Sequence, residues 1–213
     1  PTPPFGGYGP SFTNPRTGQI LGADIMLEFI FVTNRLLQSE LFDVAGQNLA
    51  LSSDQSAADG CAAQSLMQQQ TLLGVAALQL EGASEVEVNA FVQQAVISLV
   101  LHEVGHTLGL NHNMKASQML SPAQLQDSAL VASRGVSGSV MDYHAVNLSQ
   151  PGARKTVPFD TRPGPYDRWA IEFAYRPSLA DASAETARTT ALLNRSTEPD
   201  LASVRRILVV RPD

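Results

Sequence analysis

The sequence predicts an α+β fold, mainly helical in this segment, with a small mixed sheet near its start. Three observations carry that expectation. A β-rich run spans residues 20–32, several helix-period stretches follow it, and the longest of these opens on a capping-box signal and is apolar nearly all round. Composition sets the scale. With 213 residues, 44 % of them hydrophobic and 16 % charged, the chain suits one domain, or one domain with a tail, able to bury a core.

In order, residues 1–19 are rich in Pro and Gly and form a lead-in loop, with a turn at Asn14-Pro15-Arg16-Thr17-Gly18. Residues 22–31 read as a strand, either core or an edge for an extended peptide. Helices are expected over 34–44 and 62–80, joined by a polar stretch around 52–56. Ser84 and Glu87 then sit three apart, as N-cap and reciprocal partner. Behind them Val88, Phe91, Val92, Ala95, Val96, Leu99 and Val100 form one apolar stripe, while Ile97, Leu101, Val104 and Leu108 make the other side apolar too. A helix of that kind is expected to be buried. One helix over about 121–130 comes next, then a loop at 134–139, an irregular Pro-rich stretch at 147–165, a helix over 166–175 ended by Pro177, a helix over 179–194 and a strand at 207–210. This divides the chain into a domain at 1–176 and an extension at 177–213 packed on it.

Several function classes fall away. A net charge of −6 gives no electrostatic footprint for nucleic acid or an anionic membrane. No apolar run reaches ~18 residues, so no membrane span is expected. The single cysteine, Cys61, excludes an internal disulfide framework and reads as a small buried or half-buried side chain. The chain opens on Pro1-Thr2-Pro3-Pro4, without an initiator Met or signal pattern, which suggests a processed product or a piece of a longer polypeptide.

The chemistry is concentrated in His102-Glu103-Val104-Gly105-His106-Thr107-Leu108-Gly109-Leu110-Asn111-His112, which reads H-E-x-x-H-x-x-G-x-x-H. Residues four apart share a helix face, so His102 and His106 can aim at one point. Gly109 can take positive φ and end the helix, returning His112 as a third ligand. Three imidazoles suit a catalytic zinc with one position left open. The bland alternative is a buried helix with ordinary histidines. It fits poorly, because three of the four histidines in the chain fall in this one motif. Burial argues the same way. Glu103 is the one charge in this helix after Glu87, and burying it without a cation nearby would cost several kcal/mol.

The long motif, followed by SVMDY at 139–143, resembles the metzincin clan of zinc endopeptidases. In that clan a methionine turn lies under the zinc-binding histidines, and Met141 matches it. Asp167-Arg168-Trp169-Ala170-Ile171 through Tyr175 is similar to the helix that follows the turn in matrixin and serralysin relatives. Taken in order, NPRTGQILGADIMLEF, HEVGHTLGLNHNMKAS, SVMDY and GPYDRWAIEFAY resemble a bacterial family of large zinc-dependent metalloproteases with a C-terminal "Met-zincin" domain. The resemblance implies a zincin-like fold, further strands and a helix upstream of residue 1, other upstream domains of the same polypeptide, and export to the periplasm, cell surface or medium.

The expected reaction is peptide-bond hydrolysis with one Zn2+ held by His102, His106 and His112, and Glu103 as general base. A protein or peptide is the expected substrate. Tyr143 matches the tyrosine that astacin and serralysin relatives use as a fifth ligand or oxyanion donor; plain packing is its other possible role. Met141 is expected to pack beneath the site, His144 to be a partly exposed side chain, and Asp142 a turn residue. Asp167 would cap its helix or buttress the methionine turn, and Trp169 would pack in the core. Two other classes stand beside the peptidase: an inactive zinc-binding scaffold, against which the intact Glu103 argues, and a hydrolase of non-peptide amides or esters.

Overall fold

In the computed structural model the described residues are 7–8, 10–27, 63–150 and 156–203. Strands β1 (Gly7–Tyr8), β2 (Ser11–Thr13), β3 (Ile20–Ala23) and β4 (Met26–Leu27) form two antiparallel ribbons, β2 with β3 and β1 with β4. Phe12 faces Gly22 and Tyr8 faces Met26. The turn between β2 and β3 is where the sequence places it. Asn14 Oδ1 accepts from the Arg16 backbone N–H (2.9 Å), and the Asn14 carbonyl accepts from Gly18 (2.8 Å).

The strand expected over 22–31 is interrupted at Asp24-Ile25, where the Asp24 N–H turns to the Pro10 carbonyl (3.1 Å) and the chain changes partners. Gly22 and Asp24 are both weak strand formers, which accounts for the break. The expected mixed sheet is antiparallel among the described residues. Residues 28–31, the helix expected at 34–44, Cys61 and the strand expected at 207–210 lie outside the described residues.

Helix α1 (Ala63–Leu80) packs against α2 (Glu85–Thr107), which carries the motif. The capping box that starts α2 is formed as its sequence requires. Glu87 Oε2 accepts from the Ser84 N–H (2.8 Å), and Ser84 Oγ accepts from the Glu87 N–H (3.4 Å). The expectation of burial all round is corrected. Val86 is 77 % and Ile97 44 % exposed, whereas Phe91, Ala95, Leu99, His102 and Glu103 are buried. Among the described residues, the covered face is the one that carries Phe91, Ala95, Leu99 and His102.

The single helix expected near 121–130 is two, α3 (Pro122–Leu125) and α4 (Ser128–Arg134). Asp127 divides them, because its carboxylate accepts from the Ala129 and Leu130 N–H groups and recaps the chain. Helices α5 (Pro165–Tyr175) and α6 (Ala182–Asn194) follow. Three apolar clusters hold these elements. Phe91, Ala95 and Leu99 of α2 meet Val146 and Phe159; Leu120, Val131 and Val136 lie around α4; Tyr166, Trp169 and Phe173 of α5 meet Leu192 and Leu201. Trp169 is in the core as expected, donating its indole N–H to the Leu192 carbonyl (2.8 Å). No helix of the described residues is long and apolar enough to cross a membrane.

Candidate metal centre

The last two turns of α2 carry His102, Glu103 and His106, and a Schellman stop brings the third histidine back. Gly109 has φ +82°, Gly109 N–H donates to the His106 carbonyl (2.9 Å), and Leu110 N–H donates to the Gly105 carbonyl (3.0 Å). Only a residue at ease in the left-handed region ends a helix this way without strain. Leu110 then packs against the Tyr166–Trp169 cluster, which fixes the exit direction. His112 arrives beside His106, with Nε2 to Nε2 at 2.9 Å. One ring nitrogen from each of His102, His106 and His112 lies within 4.8 Å of the others, so the three could hold one metal ion.

Backbone carbonyls orient two of the rings. His102 Nδ1 donates to Val140 (2.7 Å) and His106 Nδ1 to Leu110 (3.1 Å). A carbonyl can only accept, so both Nδ1 atoms carry the proton and Nε2 keeps its lone pair. Beneath the helix lies Met141, fully buried. A Cβ on Gly105 would stand 2.2 Å from its sulfur, so the H-E-V-G-H helix approaches this methionine through its glycine. The Met141 carbonyl also accepts from the Asn113 N–H (2.9 Å), tying the loop after His112 to the same floor.

Two buried carboxylates hold that floor. Asp167 accepts from the Val140 N–H (2.9 Å), the Ser139 hydroxyl and the Gly164 N–H (2.7 Å), so it caps α5 and buttresses the Met141 turn at once. Asp160 accepts from the Val136 (2.6 Å) and Ser137 (3.0 Å) N–H groups. Burial raises the pKa of both, and the hydrogen bonds each accepts partly offset it.

Burial also shapes the centre. Desolvation lowers the His102 pKa to about 3, and those of His106 and His112 also fall below the usual imidazole value. All three rings are therefore neutral near pH 7, the form that binds metal. Glu103 is 1 % exposed, its Oε1 has no hydrogen-bond partner, and desolvation raises its pKa to about 7. A neutral imidazole trio with a buried, partnerless carboxylate oxygen fits a divalent cation such as zinc.

Each residue singled out in the sequence can now be placed. The structure brings His102, His106, His112 and Tyr143 together, and Glu103 is buried next to His102 on α2. Tyr143 Oη lies 2.7 Å from His112 Nε2, its ring 5.4 Å from that of His102. Met141 and Asp167 stand where expected. Asp142 does turn the chain, its N–H donating to the Ser139 carbonyl (3.3 Å), but its side chain is buried and accepts from the Ser137 hydroxyl. His144 is half-buried and stands outside the three-histidine group, with its side chain 8 % exposed and Nε2 3.6 Å from Asp160 Oδ2. Asp160, Ser137 and Asn113 were not foreseen. Their partners are 23 residues or more away or lie on irregular backbone, where no periodicity marks them.

The fold and this centre define a zincin-like α+β domain with a three-histidine site. Its family is established by sequence: residues 84–204, more than half of the chain, match the Met-zincin family, and the chain belongs to it. That membership makes it a metalloprotease-type protein and implies zinc. No curated protein and no solved structure matches the chain significantly.

Proposed function

We propose that this protein is a zinc-dependent endopeptidase in which His102, His106 and His112 hold the ion and Glu103 is the general base. The observation that carries the proposal is Glu103, buried, with one oxygen unpartnered and a proton affinity near neutrality, on the same helix as two of three converging imidazoles. Zinc, when bound, supplies Lewis acidity, polarising the scissile carbonyl and making water more acidic. Glu103 takes the proton of the attacking water as oxygen bonds to the carbonyl carbon, then delivers it to the amine nitrogen as the C–N bond breaks. A carboxylate beside the attacking water can perform both transfers. Tyr143 donates a hydrogen bond from its phenol to the carbonyl oxygen while negative charge develops there. His102 and His106 keep their orientation through the Val140 and Leu110 carbonyls.

The reading extends to a protein or peptide substrate met outside the cytoplasm and to upstream domains of the same polypeptide, on the resemblance alone. The decisive experiment compares zinc-loaded wild type with Glu103→Gln on a mixed peptide library, with zinc content measured in both. The expected result is hydrolysis by wild type and a loss of about 10²–10⁴-fold in the variant at equal zinc stoichiometry. Turnover of amide or ester panels but no peptide would identify a different hydrolase. Zinc binding without any turnover would identify a scaffold.

A further inference from the structure

The loop that delivers His112 is exposed at Asn111, His112, Met114 and Lys115, yet Asn113 among them is only 2 % exposed. Its backbone belongs to the floor. The N–H donates to the Met141 carbonyl (2.9 Å), and the carbonyl accepts from the Ala116 N–H (3.1 Å). Its side chain turns elsewhere. Nδ2 donates to the carbonyl of Ala202 (3.0 Å), 89 residues further on and beyond α6. That carbonyl is itself well held. It follows a tight turn, Pro199–Leu201, whose Leu201 is buried in the Tyr166–Trp169 cluster, the one against which Leu110 packs. Asp200 pairs with Arg134, and a Cβ on Gly138 would stand 3.2 Å from the Asp200 carbonyl. The C-terminal extension therefore touches both the third-histidine loop and the stretch that leads into Met141.

We propose that Asn113 is a positioning residue for His112, and that its bond to Ala202 makes residues 199–203 part of the frame of the metal centre. The role rests on the reading of His112 as a metal ligand. An amide is a costly way to fill this place. Asn113 Oδ1 is buried and accepts from no donor among the described residues, and an unpaired buried acceptor destabilises the fold. An apolar side chain of the same shape would avoid that loss. What the amide adds is a directed hydrogen bond at the residue next to a ligand. A ligand on an exposed loop binds an ion tightly only if the loop is already ordered, because ordering it on binding lowers the affinity. The Met141 carbonyl holds the loop from below, and Ala202 holds it from the far end of the chain.

The test measures zinc Kd by chelator competition, and urea midpoints without metal, in wild type, Asn113→Leu, His112→Ala and the double variant. Asn113→Leu is expected to keep or raise the midpoint, because the unpaired oxygen is gone, and yet to weaken zinc binding about 10–100-fold. In the His112→Ala background the same substitution is expected to change Kd by less than about 2-fold, since the ligand it positions is already missing. Asn113→Ala is expected to weaken zinc as Asn113→Leu does, which keeps the comparison decisive if leucine fits poorly. An unchanged Kd in both folded variants overturns the positioning role. Midpoint and affinity falling together, equally with and without His112, overturn it too, because Asn113 would then only support the fold. Both outcomes leave the three-histidine reading standing. A wild type that binds no zinc, or one whose affinity His112→Ala leaves unchanged, overturns that reading and the role of Asn113 with it.

Discussion

His102 and His112 bracket the candidate centre, one from the buried interior and the other from its exposed rim. His102 is almost wholly buried and bonded to the Val140 carbonyl, on a floor where Asp167 holds Ser139, Val140 and Gly164. His112 is exposed, stands on the loop after Gly109, and has Tyr143 and His106 at its ring. The floor is fixed by buried hydrogen bonds that persist without a ligand. The rim is held by contacts among His106, His112 and Tyr143. A centre built this way has His102 and His106 oriented by backbone carbonyls and His112 on its open side.

Breaking the floor should have the largest effect on stability. Asp167→Ala removes the acceptor of two backbone N–H groups and one hydroxyl, all buried, and each orphaned donor costs about 1–3 kcal/mol. A loss of about 3 kcal/mol or more in denaturant unfolding is expected, together with weaker zinc binding, because Val140 no longer aims His102. Asp167→Asn, which retains one acceptor, should recover part of both. Equal stability of wild type and Asp167→Ala would show that the floor does not depend on this carboxylate.

A smaller effect separates Glu103 from the histidines by pH. Its folded pKa of about 7 lies above the unfolded value of 4.5, so burial of the ionised form costs stability above pH 7 and nothing below 4.5. Metal-free Glu103→Gln should therefore be more stable than metal-free wild type at pH 8, on the order of 2 kcal/mol. The difference should close as pH falls through 7 toward 4.5. His102 works in the opposite sense. Its folded pKa of about 3 lies below the unfolded 6.5, so its contribution is present above 6.5 and lost as pH falls toward 3. Both proteins should share that acid limb, and a pH series of urea midpoints reads the two effects apart.

The same division explains what the sequence reveals. The centre is local: His102, Glu103 and His106 follow from helical spacing, His112 from the glycine stop, and α2 from Ser84 and Glu87. Met141 and Asp167 were anticipated through the resemblance, since nothing in their own surroundings demands burial. The role of Asp160 was invisible, because it depends on backbone groups 23–24 residues away across irregular chain. The split between α3 and α4 was missed for a local reason. Asp127 suits a helix interior poorly but caps well, and the apolar pattern alone does not register the difference.

At the rim, Tyr143→Phe should change stability least. The ring is half-buried and keeps its packing, so a shift within about 0.5 kcal/mol is expected. Zinc affinity should change little, because two of the three histidines, His102 and His106, are held elsewhere through Val140 and Leu110. The effect belongs in kcat. A donor that strengthens only as the carbonyl oxygen becomes anionic lowers the barrier without improving substrate binding, so its loss should reduce kcat by about 10²-fold and leave KM nearly unchanged. Loss in KM alone would make Tyr143 a substrate-binding wall, and loss of zinc would make it a ligand. Unchanged kinetics would leave it packing, and His112 would then stand at the rim without a catalytic neighbour.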